Sequence, residues 1–484
     1  MKSKKFYSNL DVCVNFNNVA KKKQKNAAVS KTPLAVAVCA VLSGLSLPAY
    51  ADVGFSSPAT VSTTVTLSAG RNPILSSTTP ASLTITESGT INFPESAAWL
   101  HGARMSIAGA NDNNTIISYG TINGSTLYSG DVIGGYFYIS GTGGPSIHTN
   151  NNTVSFKAGS STNKVYVYGG YASDYSSQGV SATASGNTVI IENGSNFQST
   201  YGITGGYASA KGAATASNNT VVLGSGTYTN ILGGHASSYN DQVATVSNNT
   251  VYLYGDANVS AAGIVGGDSN LLVGDTVTGT LTLTGNTLVF GYNNQAWAPS
   301  NYTIGNVKNF STIRFDNATW GKTITVYYFA NQSTDSTVTK VDATNVAFSG
   351  VDSLSSGDSY DMLTIEELAS GSLELTSENS TYTIGTTLEG TGKVSLSDGG
   401  KTVTYTVDSA SEQASSQSTV DSASEQASSQ STVDSASEQA SSQSTVDSAS
   451  EQASSQSTVD SASEQASSQS LSIGSKEQKV DSAS

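Results

Sequence analysis

The sequence predicts an all-β protein, a single-stranded parallel β-helix whose coils stack along one axis, followed by a low-complexity tail that is disordered or weakly helical. Three observations lead there. An Asn-Thr-apolar signature recurs at Asn114, Asn152, Asn187, Asn219, Asn249 and Asn286, at intervals of 38, 35, 32, 30 and 37 residues. A glycine pair follows each copy but the last, at Gly134/Gly135, Gly169/Gly170, Gly205/Gly206, Gly233/Gly234 and Gly266/Gly267. The runs between are rich in Val, Ile, Thr, Tyr and Phe and alternate apolar with polar, as Val165 and Val167 do against Lys164 and Tyr166. A period of two favours strand over helix. One such unit cannot bury its apolar face alone, whereas units stacked about 4.8 Å apart satisfy the backbone and share a core.

The chain begins with residues 1–51, which read as an export signal. Lys2, Lys4, Lys5, Lys21, Lys22, Lys23, Lys25 and Lys31 precede the apolar run Leu34 to Leu47, and Pro48, Ala49, Tyr50 and Ala51 end it with small residues suited to signal peptidase. The run is shorter than the roughly 20 residues a membrane-spanning helix needs, and cleavage is expected after Ala51. Both cysteines, Cys13 and Cys39, lie in this leader, so the remainder has no disulfide, thiolate nucleophile or cysteine-ligated metal.

Residues 52–300 hold the repeats. Each unit is expected to run strand, turn, strand, glycine pair, then a variable Ser/Ala-rich loop such as Ser209 to Ser217. The glycine pairs suit tight corners at positive φ. The asparagines suit either a side-chain ladder or a simple turn. Residues 301–407 keep strand chemistry but lose the repeat, and the segment Phe310 to Phe315, Trp320 and Gly357 to Leu363 read as the capping part of the same stack. From Val407 a 13-residue unit, VDSASEQASSQST, recurs at Val420, Val433, Val446 and Val459. It offers too few apolar residues for a core, so residues 408–484 read as a solvated, acidic, Ser-rich stalk.

Composition excludes several function classes. Of 484 residues 12% are charged, the formal net charge is -15, and the basic residues concentrate in the leader. Such a chain repels phosphate backbones, so no nucleic-acid partner is expected. The exported part has three histidines, His101, His148 and His235. His235 occupies the Tyr slot of the GGYAS string and reads as a repeat variant. The string Gly266 to Asn270, GGDSN, has the Gly-Asp-Ser block of GDSL-type esterases, but no histidine follows it and it falls on a glycine-pair position. Asp174, Asp241, Asp256 and Asp268 sit at different phases of the repeat and read as solvated loop charge. No zinc, P-loop, protease or calcium-nonapeptide motif is present, so no metal or cofactor is expected.

The long leader, the NTV and GGYAS repeats and the segment after them resemble the passenger domain of bacterial autotransporters, of the AIDA-like or pertactin-like β-helical adhesin type, over roughly residues 54–407. The resemblance implies a right-handed parallel β-helix displayed at the cell surface. It also implies a C-terminal helix and membrane β-barrel, which are lacking here, so membrane attachment would run through a separate or missing translocator. The function expected is an adhesin-like surface protein, not an enzyme, supporting attachment, aggregation or biofilm. Its partners would be host or bacterial surface glycans or proteins, or other copies of itself. The alternatives are a β-helical polysaccharide lyase or glycosidase, or a truncated passenger without function. Tyr171, Tyr207, His235 and Tyr239 are the candidate ligand contacts, because outward tyrosines stack on sugars or give rigid contact area to proteins, whereas inward ones would form columns along the coils.

Overall fold

A computed structural model describes residues 55–409, apart from 68, 76–79, 103–111, 125–129, 140–145, 176–178, 199–200, 240–242, 274–275 and 386–387. The export signal, and all of the tail beyond Ser409, lie outside the described residues. The chain is an all-β solenoid. One wall is an eleven-stranded sheet running from Ala59–Val61 to Ser372–Leu375 and containing every Asn-Thr strand. Its parallel register aligns Thr115, Thr153, Thr188, Thr220, Thr250, Thr287 and Thr312 in one row. A second wall is built from long strands, among them Gly130–Ile139, Val165–Asp174, Gly202–Ala210, Asn230–Ser238 and Gly263–Ser269. Short strands from Thr64–Thr66 to Ala257–Asn258 make the third.

These walls enclose a core of stacked apolar side chains. Val154, Val189, Val221, Val251, Leu288 and Ile313 form one inward row, and Val165, Val167, Ile203, Ile231 and Ile264 line the facing wall, all essentially without solvent contact. Tyr166, between the two valines, is half-buried on the outer side, so the alternation read from the sequence sets the faces.

The stretch expected to be a variable loop contains a further strand. Ala182–Ser185, Ala214–Ser217, Val243–Ser247 and Thr280–Thr284, with Ile147–His148, form a fourth, five-stranded sheet. Between it and the far halves of the long strands lies a second, thin core of Ala172, Ala182, Ala184, Ala208, Ala214, Ala216, Ala236 and Ala244. Alanine at alternate positions of ATAS and YAS gives these sheets room to approach closely; Ser and Ala content alone made the segment look like loop.

Between the two cores runs a buried asparagine ladder. The side-chain Nδ2 of each repeat asparagine donates to the Oδ1 of the next: Asn114 to Asn152 at 2.7 Å, Asn152 to Asn187 at 2.9 Å, Asn187 to Asn219 at 3.0 Å, Asn219 to Asn249 at 2.9 Å and Asn249 to Asn286 at 3.0 Å. The same Oδ1 atoms accept the backbone N–H of the preceding asparagine. The second Nδ2 hydrogen of Asn187, Asn219 and Asn249 goes to the carbonyls of Thr149, Ala184 and Ala216. The residue before each ladder asparagine turns the corner in the left-handed region: Asn113, Asn151, Gly186, Asn218, Asn248 and Gly285 have φ of 62, 55, 67, 56, 56 and 65°. Asn and Gly are the residues that tolerate that conformation.

The glycine pairs are not at these corners. They lie inside the long strands, in extended backbone, and they are glycine because a Cβ would have nowhere to go. At Gly169 it would stand 2.4 Å from the Gly205 carbonyl oxygen and 2.9 Å from the Asn187 Cβ, and at Gly205 2.4 Å from the Gly233 oxygen. At Gly170 and Gly206 it would strike the side chains of Asn187 and Asn219 at 2.6 and 2.5 Å. Ladder and glycine pair are therefore one device, the long strand lying directly on the asparagines.

The stack is closed by a hairpin. Leu388–Ser397 pairs antiparallel with Asn379–Ile384 of one wall, and Thr402–Ser409 pairs antiparallel with Ser359–Ser370 of another. Trp320, Phe348, Tyr360, Tyr382 and Tyr405 fill the space beneath with edge-to-face and tilted contacts. Burial pushes the Tyr405 hydroxyl up to about 12. The closing strand runs two residues into the Ser-rich region, to Ser409, because Val407 continues its inward row.

Removing one rung of the ladder leaves buried donors and acceptors unmatched, at about 1–3 kcal/mol each. Asn219→Ala is therefore expected to destabilise by about 3 kcal/mol or more, and Gly205→Ala to lower stability through the carbonyl clash. Asn218→Gly, which keeps the left-handed corner, is expected to stay within about 1 kcal/mol of the parent. Urea unfolding of the three variants checks the order.

Candidate ligand-contact face

The long strands bend at their glycine pairs. Pairing runs Ile133 with Tyr168 and resumes at Gly135 with Gly170, skipping the first glycine, and the same skip recurs between Tyr168/Thr204 and Gly170/Gly206 and between Thr204/Leu232 and Gly206/Gly234. The bend brings Tyr168 and Tyr171 together on the outer side, edge to face with centroids 5.4 Å apart. In a straight strand residues three apart point to opposite faces. The outward phase of the strand thus shifts at the glycines, which are themselves buried.

On the far side of the glycines the outer face carries a continuous aromatic column. His101 lies 4.9 Å from Tyr136, Tyr136 stacks on Tyr171 at 5.4 Å, Tyr171 on Tyr207 at 4.6 Å with planes only 6° apart, and Tyr207 on His235 at 4.9 Å. The column ends at Asp268, whose Oδ2 is 3.2 Å from His235 Nδ1. His235 Nε2 meets the Ser237 hydroxyl at 2.8 Å. Each aromatic contact contributes about 0.5–1.5 kcal/mol beyond area burial. Burial pushes the Tyr171 and Tyr207 hydroxyls upward, so both stay protonated donors.

The structure places all four sequence candidates on this face. Tyr171, Tyr207 and His235 stack directly, and Tyr239 lies near enough to Tyr207 to influence its ionisation. Their roles in contact differ, however. The ring faces of Tyr171 and Tyr207 cover each other, so an incoming group meets their edges and hydroxyls. The exposed rings are Tyr239, 49% exposed, and Tyr175, 40% exposed, which also borders Tyr207 and lies 5.8 Å from Tyr138. Tyr175 was missed because it follows the YAS string, yet YASDY at 171–175 and HASSY at 235–239 carry the same five-residue spacing. Tyr252 and Tyr254 belong elsewhere, packed around Tyr292.

On the near side of the glycines, Asp131 stands in register between Trp99 and Tyr166. Burial drives its carboxyl up to about 7, against a hydrogen bond from Trp99 that favours the ionised form. Tyr166 contacts Tyr168 and Tyr201 at 6.2 and 5.1 Å.

The carboxylates singled out in the sequence are dispersed. Asp268 engages His235, Asp174 is buried at the end of its long strand, Asp256 is exposed, and Asp241 lies outside the described residues. Among the described residues no three His, Cys, Asp or Glu side chains gather as a metal site, and no helix is long and apolar enough to cross a membrane. Comparison with protein-family models, curated proteins and solved structures gives no match.

Asp131 sets a pH dependence. Its folded pKa of about 7 lies above the ordinary 3.8, so the unfolded chain releases the proton first and this residue makes stability fall as pH rises from about 4 to about 7, with no further change above. Asp131→Asn is expected to remove that component and to raise stability at neutral pH relative to the parent. Urea midpoints at several pH values measure it.

Proposed function

We propose that the protein is an exported, surface-displayed adhesin of the autotransporter-passenger kind, which attaches cells to glycans or proteins on host or bacterial surfaces, or to other copies of itself. The observation that carries this reading is the pairing of a rigid aromatic column with two half-exposed tyrosines, Tyr175 and Tyr239, at its flank. A tyrosine held by a stacked neighbour loses little conformational freedom on contact and offers both an apolar ring and a hydroxyl. Many displayed copies sum individually weak contacts through avidity. The solenoid supports the reading by holding the contact face at a fixed place along an elongated stack, and the leader supplies the route of export.

Cells producing the full chain test it. With Tyr175→Ser and Tyr239→Ser combined, adhesion and cell aggregation are expected to fall at least tenfold while stability changes by no more than about 1 kcal/mol. Tyr207→Ala, which opens the column, is expected to cost about 2–3 kcal/mol. Unchanged adhesion in the double variant, or a chain fully protected from protease added to intact cells, would overturn the proposal.

A further inference from the structure

Where the column changes from tyrosine to histidine, it gains a chemical arrangement that the neighbouring coils lack. His235 and Ser237 are two apart on one strand and so share a face. Ser237 Oγ is 2.8 Å from His235 Nε2, and His235 Nδ1 is 3.2 Å from Asp268 Oδ2, Asp268 being its register partner in the next coil. With the Nδ1 hydrogen directed at the carboxylate, the Nε2 lone pair faces the serine hydroxyl. Nucleophile, base and orienting carboxylate are thus in hydrogen-bonding sequence. In the preceding coil Tyr207 stacks on His235 with planes 13° apart, and its hydroxyl is flanked by Ser209 and Ser237. Ser209, the register partner of Ser237, and Ser173 have Tyr207 and Tyr171 in the place of the histidine, and hence no base.

We propose that Ser237 is a nucleophile for small acyl esters, with His235 as general base, Asp268 orienting the imidazole and the Tyr207 hydroxyl donating to the developing oxyanion. Ser237 Oγ bonds to the ester carbonyl carbon as its proton passes to His235 Nε2. The carbon–oxygen bond to the leaving alcohol then breaks, and His235 returns the proton to the departing alkoxide. Water, deprotonated by His235, hydrolyses the acyl-serine to release the acid and regenerate the hydroxyl. Ser237 is 3% exposed, which is why the proposal is confined to small acyl groups. Two features keep the machinery in its working state. Although burial pushes the Asp268 carboxyl up, the His235 hydrogen bond, the Ser269 backbone N–H and Lys308 hold it below the usual carboxylate range. The Tyr207 hydroxyl, raised by burial, remains a donor.

The test uses the full chain and two probes, a small alkyl fluorophosphonate read by intact mass and peptide mapping, and p-nitrophenyl acetate turnover. One phosphonyl group is expected on Ser237. Ser237→Ala and His235→Tyr should abolish it, the latter restoring the residue of the neighbouring coils so that the column and fold persist, as circular dichroism will report. Asp268→Asn is expected to slow labelling by about 100-fold or more, and Tyr207→Phe to slow acetate turnover by about 100-fold while leaving the fold intact. No labelling, labelling at another residue, or labelling that survives His235→Tyr would overturn the proposal. Adhesion by the Ser237→Ala variant reports separately on the surface-binding reading.

Discussion

The structure depends on a row of primary amides kept away from water. An asparagine side chain has two donors and two acceptor lone pairs, and burying it is costly unless nearly all are matched. Here the Oδ1 of Asn152, Asn187, Asn219, Asn249 and Asn286 takes a side-chain and a backbone donor from the asparagine of the coil before, so that matching is achieved only when successive coils are in register. A one-residue slip would leave the whole row unmatched as well as turning the apolar rows outward. The ladder thus fixes register, and the glycine pairs follow from it, since the long strand must pass within contact distance of the amides.

Loop length can vary because register is set at these points. The coil-to-coil spacing of the repeat ranges from 30 to 38 residues, and the surplus falls both before and after the glycine pair without disturbing the corner. The same bend that seats the long strand on the ladder brings Tyr168 and Tyr171, on either side of the glycines, into contact. Core construction and the candidate face are in this sense two sides of one strand.

Much of the fold was legible. Alternation in VYVY placed Val165 and Val167 inward, and the recurrence of Asn-Thr located the walls. The asparagines left ladder and turn equally open, because sequence does not reveal whether a polar side chain is turned in or out; the structure makes both answers true of adjacent residues, Asn218 turning and Asn219 bonding. The glycine pairs misled for a related reason. Glycine answers equally to unusual φ and to lack of room, and only the neighbouring coil, remote in sequence, distinguishes them. The ATAS strands escaped notice because alanine and serine carry little strand propensity; their pairing rests on closeness of packing. At the face, the tyrosine slots were readable from the repeat, but stacking of their rings and the approach of Ser237 to His235 depend on the positions of side chains across coils.

The closing hairpin has one more consequence. By pairing antiparallel with Asn379–Ile384 and with Ser359–Ser370 it covers two strand edges at that end of the column, while Ser372–Leu375 ends the eleven-stranded wall. Growth of a fibre by edge-to-edge addition requires two unsealed ends per molecule. With those edges taken, joining of copies at this end is left to the short strand Ser372–Leu375, a far smaller template than the three walls together would offer.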